Sequence, residues 1–147
     1  MKSYSSGYSD MEELKLILIV GPTASGKTAA SIYAATKLNG EIVSADSIQV
    51  YKGMDIGSAK PTMQERQGIP HHLMDAIDIN SPKFSVAEFR KMAGEAIEDI
   101  AGRGKQPIVV GGTGLYINSL VFPLNFTEVQ SDEKLRSELS EIEERQG

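Results

Sequence analysis

Eight consecutive residues, Gly21-Pro22-Thr23-Ala24-Ser25-Gly26-Lys27-Thr28, constrain this chain more than any other stretch. They fit G-x-x-x-x-G-K-[ST], the pattern of a phosphate-binding loop. Such a loop works only between a strand and a helix, and both flanks are signalled. Leu16-Ile17-Leu18-Ile19-Val20 is an apolar run of strand length, and Ala29, Ala30, Ala34 and Ala35 favour a helix. The glycines let the backbone curl so that successive N–H groups point at one anion, and the helix adds the positive end of its dipole. Lys27 is expected to supply charge to the outer phosphate oxygens. Thr28 is expected to offer a hydroxyl to Mg²⁺.

The rest of the chain continues the alternation of strand and helix. Glu41-Ile42-Val43-Ser44-Ala45-Asp46 reads as a second strand. Ser47 to Pro70 is polar, carries Gly53, Gly57, Pro61 and Gly68, and is expected to be loop with one or two helical turns. His72-Leu73-Met74-Asp75-Ala76-Ile77 gives a weaker third strand. Val86, Phe89, Ala93, Ala96, Ile97 and Ile100 recur at helical spacing, which predicts a helix over 86–101. Ser85 and Glu88 make a capping box for it, Phe84 and Phe89 fit a hydrophobic staple, and Gly102 and Gly104 end it. Pro107-Ile108-Val109-Val110 reads as a fourth strand, followed by a glycine turn, 111–114, and a short helix over 115–120. From Ser131 an acidic amphipathic helix begins, with Leu135, Leu139 and Ile142 on one side. The fold class is therefore α/β, a parallel sheet flanked by helices on both faces.

Bulk properties narrow the class of protein. With 147 residues, 40% hydrophobic and 24% charged, the chain has the balance of one globular domain. The absence of cysteine excludes disulfides and thiolate metal sites. Apolar runs fall far short of the roughly 20 residues that span a bilayer. Met1 to Asp10 lacks the apolar core of a secretory signal, so residues 1–13 read as a disordered extension and a cytoplasmic location, with no membrane partner, is expected. The net charge of −5 is concentrated from Glu128 onward, where seven acidic residues face three basic ones. The remainder is nearly neutral, so charge does not exclude a nucleic-acid substrate.

Ligands of an open α/β sheet bind beyond the carboxyl ends of its strands. Three groups fall there: the phosphate loop, then Asp46 with Ser47, Ile48 and Gln49, then Gly111-Gly112-Thr113. A carboxylate beside a phosphate cradle can hold Mg²⁺ or accept a proton from a nucleophile; Asp46 is equally suited to capping a helix. The glycine pair permits close approach of a ligand or simply a tight turn. His71 and His72 are adjacent and point apart on extended chain, which does not suit a shared metal. The fourth strand ends in glycine rather than the Asp of a Walker-B run, which argues against an NTP-driven motor. The five arginines (Arg66, Arg90, Arg103, Arg136, Arg145) are scattered, unlike the clusters that close over a phosphoryl group in a nucleotide kinase.

Five segments in order narrow the reading further: the phosphate loop, then Ser44-Ala45-Asp46-Ser47-Ile48-Gln49-Val50-Tyr51, Met54-Asp55-Ile56-Gly57-Ser58-Ala59-Lys60-Pro61, Pro70-His71-His72-Leu73, and Val110-Gly111-Gly112-Thr113-Gly114-Leu115-Tyr116. Over residues 15–125 the chain resembles the tRNA dimethylallyltransferases. That resemblance implies a P-loop NTPase-like core over 14–125 and, over 126–147, the start of a helical insertion that grips tRNA. It implies transfer of a dimethylallyl group from dimethylallyl diphosphate to N6 of the adenosine beside the anticodon, with Mg²⁺ as cofactor. Gly21 to Thr28 would hold the diphosphate, with Thr28 on the metal. Asp46, Lys27 and Thr23 would be catalytic, Asp46 as the base toward N6. Asp46, Ser47, Ile48, Gln49 and Thr113 would meet the anticodon stem-loop. A loop of this pattern is commonly read as an ATP site; the resemblance assigns it to the prenyl diphosphate instead.

Ser58 stands where that family more often has Thr, and family members are considerably longer. The chain is therefore expected to be part of a larger protein, and a monomer. Three other readings stand beside the transferase: an adenylate prenyltransferase acting on free AMP, a small-molecule kinase, and an inactive diphosphate-binding fragment.

Overall fold

Period-two alternation in the strands sends apolar side chains to both sides of a sheet, and two helical layers bury them. The computed structural model describes residues 15–81, 84–123 and 133–146. Strands β1 (Ile17–Val20), β2 (Gly40–Ala45), β3 (His71–His72) and β4 (Gln106–Gly111) form a sheet of order β1-β4-β2-β3, every pair parallel. Helix α1 (Lys27–Leu38) covers one face, over Ile42 and Ile108 with Ile17, Ile19 and Val110. Helices α3 (Val86–Gly102) and α4 (Gly114–Val121) cover the other, over Val43, Ala45 and Val109. A single turn, α2 (Met63–Arg66), lies in the long segment between β2 and β3.

Helix α3 begins as its sequence dictates. Ser85 Oγ accepts from the Glu88 N–H at 3.2 Å, and Glu88 returns a carboxylate to the Ser85 N–H at 2.7 Å. Phe84 and Phe89 both pack on Tyr116 of α4. Phe89 stacks on its ring at 4.1 Å between centroids, and Phe84 meets its edge at 6.3 Å. The staple thus ties two helices together rather than only fixing the entry to one.

The third strand differs from the expectation. Residues 72–77 were expected to be extended, but only His71–His72 pair with β2. Leu73 and Asp75 both have positive φ, 58° and 56°, which no strand tolerates. The chain instead turns there and regains one bridge, between Ile77 and Tyr51.

Glu41, on β2, is the least expected member of the interior. Its side chain is only 3% exposed and accepts from Arg103 at 2.7 and 2.8 Å, Lys105 at 2.6 Å and His72 at 2.7 Å. The Arg103 guanidinium, ahead of Lys105 and His72, holds its carboxyl well below the usual carboxylate range against the opposing effect of burial. This cluster closes the sheet at the end away from the phosphate loop.

The expected extension over residues 1–13 lies outside the described residues, as does the stretch 124–132. Helix α5 (Glu133–Gln146) follows that stretch, where an acidic helix was expected, and Ile142 on it is exposed. Among the described residues no helix is long and apolar enough to cross a membrane.

Candidate functional site

The phosphate loop leaves β1 and enters α1 through two left-handed residues, Ala24 at φ 63° and Gly26 at φ 83°. Gly26 adopts that angle without the penalty a Cβ would impose. Lys27 folds back across the loop, where its Nζ donates to the Pro22 carbonyl and approaches Ser25 Oγ at 3.5 Å. The residues of the loop and the start of α1 line one cleft, the place an anion site would occupy.

Asp46 follows β2 at the same end of the sheet. Its Oδ1 accepts from the N–H groups of Ile48 at 2.8 Å and Gln49 at 3.1 Å. Asp46 does cap the chain that follows it, but that chain is a turn over 47–50 rather than a helix, and the cap uses one oxygen. A carboxylate has two, so the cap does not exclude a second task for Oδ2.

Gly111 resolves the glycine pair in an unforeseen way. A Cβ there would stand 2.2 Å from the Ala45 carbonyl oxygen and 2.5 Å from its carbon. The residue is glycine because β2 and β4 approach so closely, not because a ligand does. The Thr113 N–H then donates to the Ala45 carbonyl at 3.3 Å, and Thr113 Oγ1 accepts from the Ser47 N–H at 3.1 Å. One threonine thereby fastens the loop after β4 to the loop carrying Asp46.

A cleft of about 690 Å³ opens between the phosphate loop and these elements, within the size range of small-ligand sites. Thr23, Ala24, Ser25, Gly26, Lys27, Thr28, Asp46 and Gln49 line it. Of the other residues named from sequence, Pro22 and Gly21 form the back of the loop. Ser47 and Thr113 bond to each other behind Asp46, and Ile48 is exposed beside it. Sequence reasoning passed over the remaining walls. Ala29, Ile32, Tyr33 and Thr36 contribute the flank of α1, and Ser58, Ala59, Glu65 and Gln67 the opposite side. The first four were detectable, because positions 29, 32, 33 and 36 share one helical face running on from Thr28.

The segment opposite is held by a buried cation. Lys60, with 4% of its side chain exposed, donates to Asp55 at 2.9 Å, Asp75 at 2.6 Å and the Tyr51 carbonyl at 3.1 Å. Burial pushes its ammonium down in pKa, and Asp75 and Asp55 more than compensate, leaving it above the ordinary lysine range. His71 Nδ1 contacts the Ile69 carbonyl while His72 Nε2 contacts Glu41, so the two imidazoles serve different partners.

A glycine loop between a parallel strand and a helix, with a carboxylate at the end of the next strand, defines an α/β protein of the phosphate-loop type. The family model described as IPP transferase matches residues 49–147. The chain is 50% identical over 134 residues to the tRNA dimethylallyltransferase of Caldanaerobacter subterraneus subsp. tengcongensis, covering 91% of this chain and 42% of that protein. Against its counterpart from an Exiguobacterium species, identity is 53% over 137 residues, covering 93% and 44%. The crystal structure of full-length tRNA isopentenylpyrophosphate transferase from Bacillus halodurans superposes with a TM-score of 0.76 at 48% identity, over 92% of this chain and 44% of that one. A eukaryotic dimethylallyltransferase captured acting on tRNA superposes with a TM-score of 0.72 at 42% identity, over 86% and 31%. The chain belongs to the IPP transferase family and has its P-loop NTPase-like fold. It spans less than half the length of the curated relatives it matches.

Proposed function

We propose that this chain carries the diphosphate cradle and the general base of a tRNA dimethylallyltransferase. The observation that carries the reading is the meeting of Thr23–Thr28 and Asp46 in one cleft, in a member of a family whose relatives bear that activity. The phosphate loop grips the diphosphate of dimethylallyl diphosphate. The exocyclic amine of an adenosine in the anticodon stem-loop attacks the allylic carbon, the C–O bond to diphosphate breaks, and the amine proton passes to Asp46 Oδ2. An aromatic amine is a weak nucleophile, so the base assists bond formation. Charge accumulates on the departing diphosphate, where Lys27 and the loop amides offset it.

The donor set suits Mg²⁺, a hard cation bound by one or two protein oxygens together with substrate phosphates. The Thr28 hydroxyl is such an oxygen on the cleft wall, and among the described residues no cluster of three metal-binding side chains competes for a metal. Thr28 would hold the ion, which supplies further charge stabilisation to the leaving diphosphate.

The test uses the longest natural polypeptide that contains this chain. Calorimetry should show dimethylallyl diphosphate binding more tightly than ATP, and an anticodon stem-loop RNA should gain one dimethylallyl group per adenosine modified. Preference for free AMP over the RNA would reassign the enzyme to adenylate prenylation. Tight ATP binding with indifference to the prenyl diphosphate would overturn the reading altogether.

A further inference from the structure

One polar group on the cleft wall has no task in the account above. Ser58 Oγ is shut off from solvent and has no hydrogen-bond partner among the described residues. Ser58 is one of the residues that line the same cleft as Lys27, Thr28 and Asp46, with its hydroxyl just beneath the wall. Buried polar groups are almost always paired, because a hydroxyl stripped of water and left unmatched destabilises the fold. An orphan at the wall of a ligand cleft points to a partner that arrives with the ligand.

The hydroxyl is held in place from two sides. Lys60, two residues on, anchors the loop through Asp55 and Asp75. Gln49 grips it from the other side: its Nε2 donates to the Ser58 carbonyl at 3.0 Å and the Ala59 carbonyl at 3.2 Å. Gln49 Oε1 accepts from Ser44 Oγ at 3.3 Å. The carboxamide is thus committed at both ends to the protein, and reading a base edge would mean giving up those bonds. The Gln49 backbone N–H donates to Asp46 Oδ1. Asp46, Gln49 and Ser58 are therefore joined in one hydrogen-bonded run, with Asp46 Oδ2 unspent at one end and the Ser58 hydroxyl at the other.

We propose that Ser58 contacts the acceptor base: a turn about χ1 brings its hydroxyl out to the cleft, where it bonds a ring nitrogen of the adenine whose amine Asp46 deprotonates, with Gln49 as the residue that positions the loop. The proposal rests on the transferase reading above and adds a contact to it. A hydroxyl can donate to a purine nitrogen and still accept from a neighbour, so it fits the acceptor-rich edge of adenine. Its place on the Asp46 wall assigns it to the acceptor rather than to the prenyl diphosphate.

The test compares S58A, S58T, Q49E and S58A/Q49E in the longest natural polypeptide that contains this chain. The stem-loop RNA and dimethylallyl diphosphate are varied separately, and each variant is melted. S58A should raise KM for the RNA about tenfold, the worth of one hydrogen bond, and leave KM for the prenyl diphosphate unchanged. Its Tm should hold or rise, because removing an unmatched buried hydroxyl takes nothing from the fold. S58T should restore the RNA KM. Q49E sets a carboxylate against two carbonyl oxygens, displaces the loop and raises the same KM, and the double variant should lose no more than the worse single one. A lower Tm in S58A with both KM values unmoved would make the hydroxyl structural and overturn the proposal. A change confined to KM for the prenyl diphosphate would place Ser58 on the donor and equally overturn it. Additive losses in the double variant would show that Gln49 meets the RNA itself and remove its positioning role. A wild-type protein that transfers nothing to RNA overturns the functional reading first, which separates the two failures.

Discussion

Asp46 caps a turn and is proposed as the general base, and one pair of substitutions separates the two. Its Oδ1 takes both backbone bonds, from Ile48 and Gln49, and asparagine keeps an oxygen in that place. Asn caps as well as Asp, so D46N should change stability by less than about 0.5 kcal/mol. It removes the proton acceptor, and loss of a general base costs about 10²–10⁴-fold in rate, or roughly 3–5 kcal/mol of barrier. D46A loses the same rate and the cap as well, for about 1 kcal/mol and a Tm lower by roughly 2–4 °C. The assay is single-turnover prenyl transfer to the stem-loop RNA at saturating prenyl diphosphate, with a thermal melt of each variant. Transfer by D46N within about threefold of wild type would refute the base assignment and leave Asp46 as a turn cap. Equal destabilisation by D46N and D46A would refute the capping argument instead.

Other perturbations test other parts of the structure. E41Q should destabilise by about 2–3 kcal/mol in urea titration, below the 3–5 typical of breaking a buried pair, because Arg103 and Lys105 are 40% and 34% exposed and regain water. Glu41 ionises at lower pH folded than unfolded, so its contribution is whole above about pH 4.3 and drains away as pH falls below it. The acid limb of the wild-type stability curve should accordingly be steeper than that of E41Q. G111A forces a methyl onto the Ala45 backbone, parts β2 from β4 and should cost about 3 kcal/mol by chemical denaturation. K27M should weaken diphosphate binding by roughly 10–100-fold in calorimetry, the worth of one charged hydrogen bond, with little effect on Tm.

Local signals served this sequence well. The capping box at Ser85 and Glu88, the apolar stripe from Val86 to Ile100 and the glycine loop each act within a few residues, and each forms as its pattern requires. The parallel sheet followed from the alternation of elements. What escaped was long-range. The Asp55–Lys60–Asp75 clamp spans twenty residues of polar chain and leaves no period to detect. Glu41 occupies a position that a charge rarely takes, and only the partners at 72, 103 and 105 explain it. The third strand failed because an apolar hexapeptide says nothing about the left-handed turns at Leu73 and Asp75. The candidate site was half visible: the loop and Asp46 announce themselves, whereas Ser58 is brought to the cleft by a clamp that sequence patterns do not encode.

Strand β1 closes the order of the sheet on one side, with Leu18 and Val20 exposed. Its far backbone rim has no strand neighbour among the described residues, which leaves donors and acceptors ready for any extended chain that comes near. An extended peptide offered to the described residues has that rim as a place to pair. The strand that delivers the chain into the glycine loop is thus also one of the two edges of the sheet.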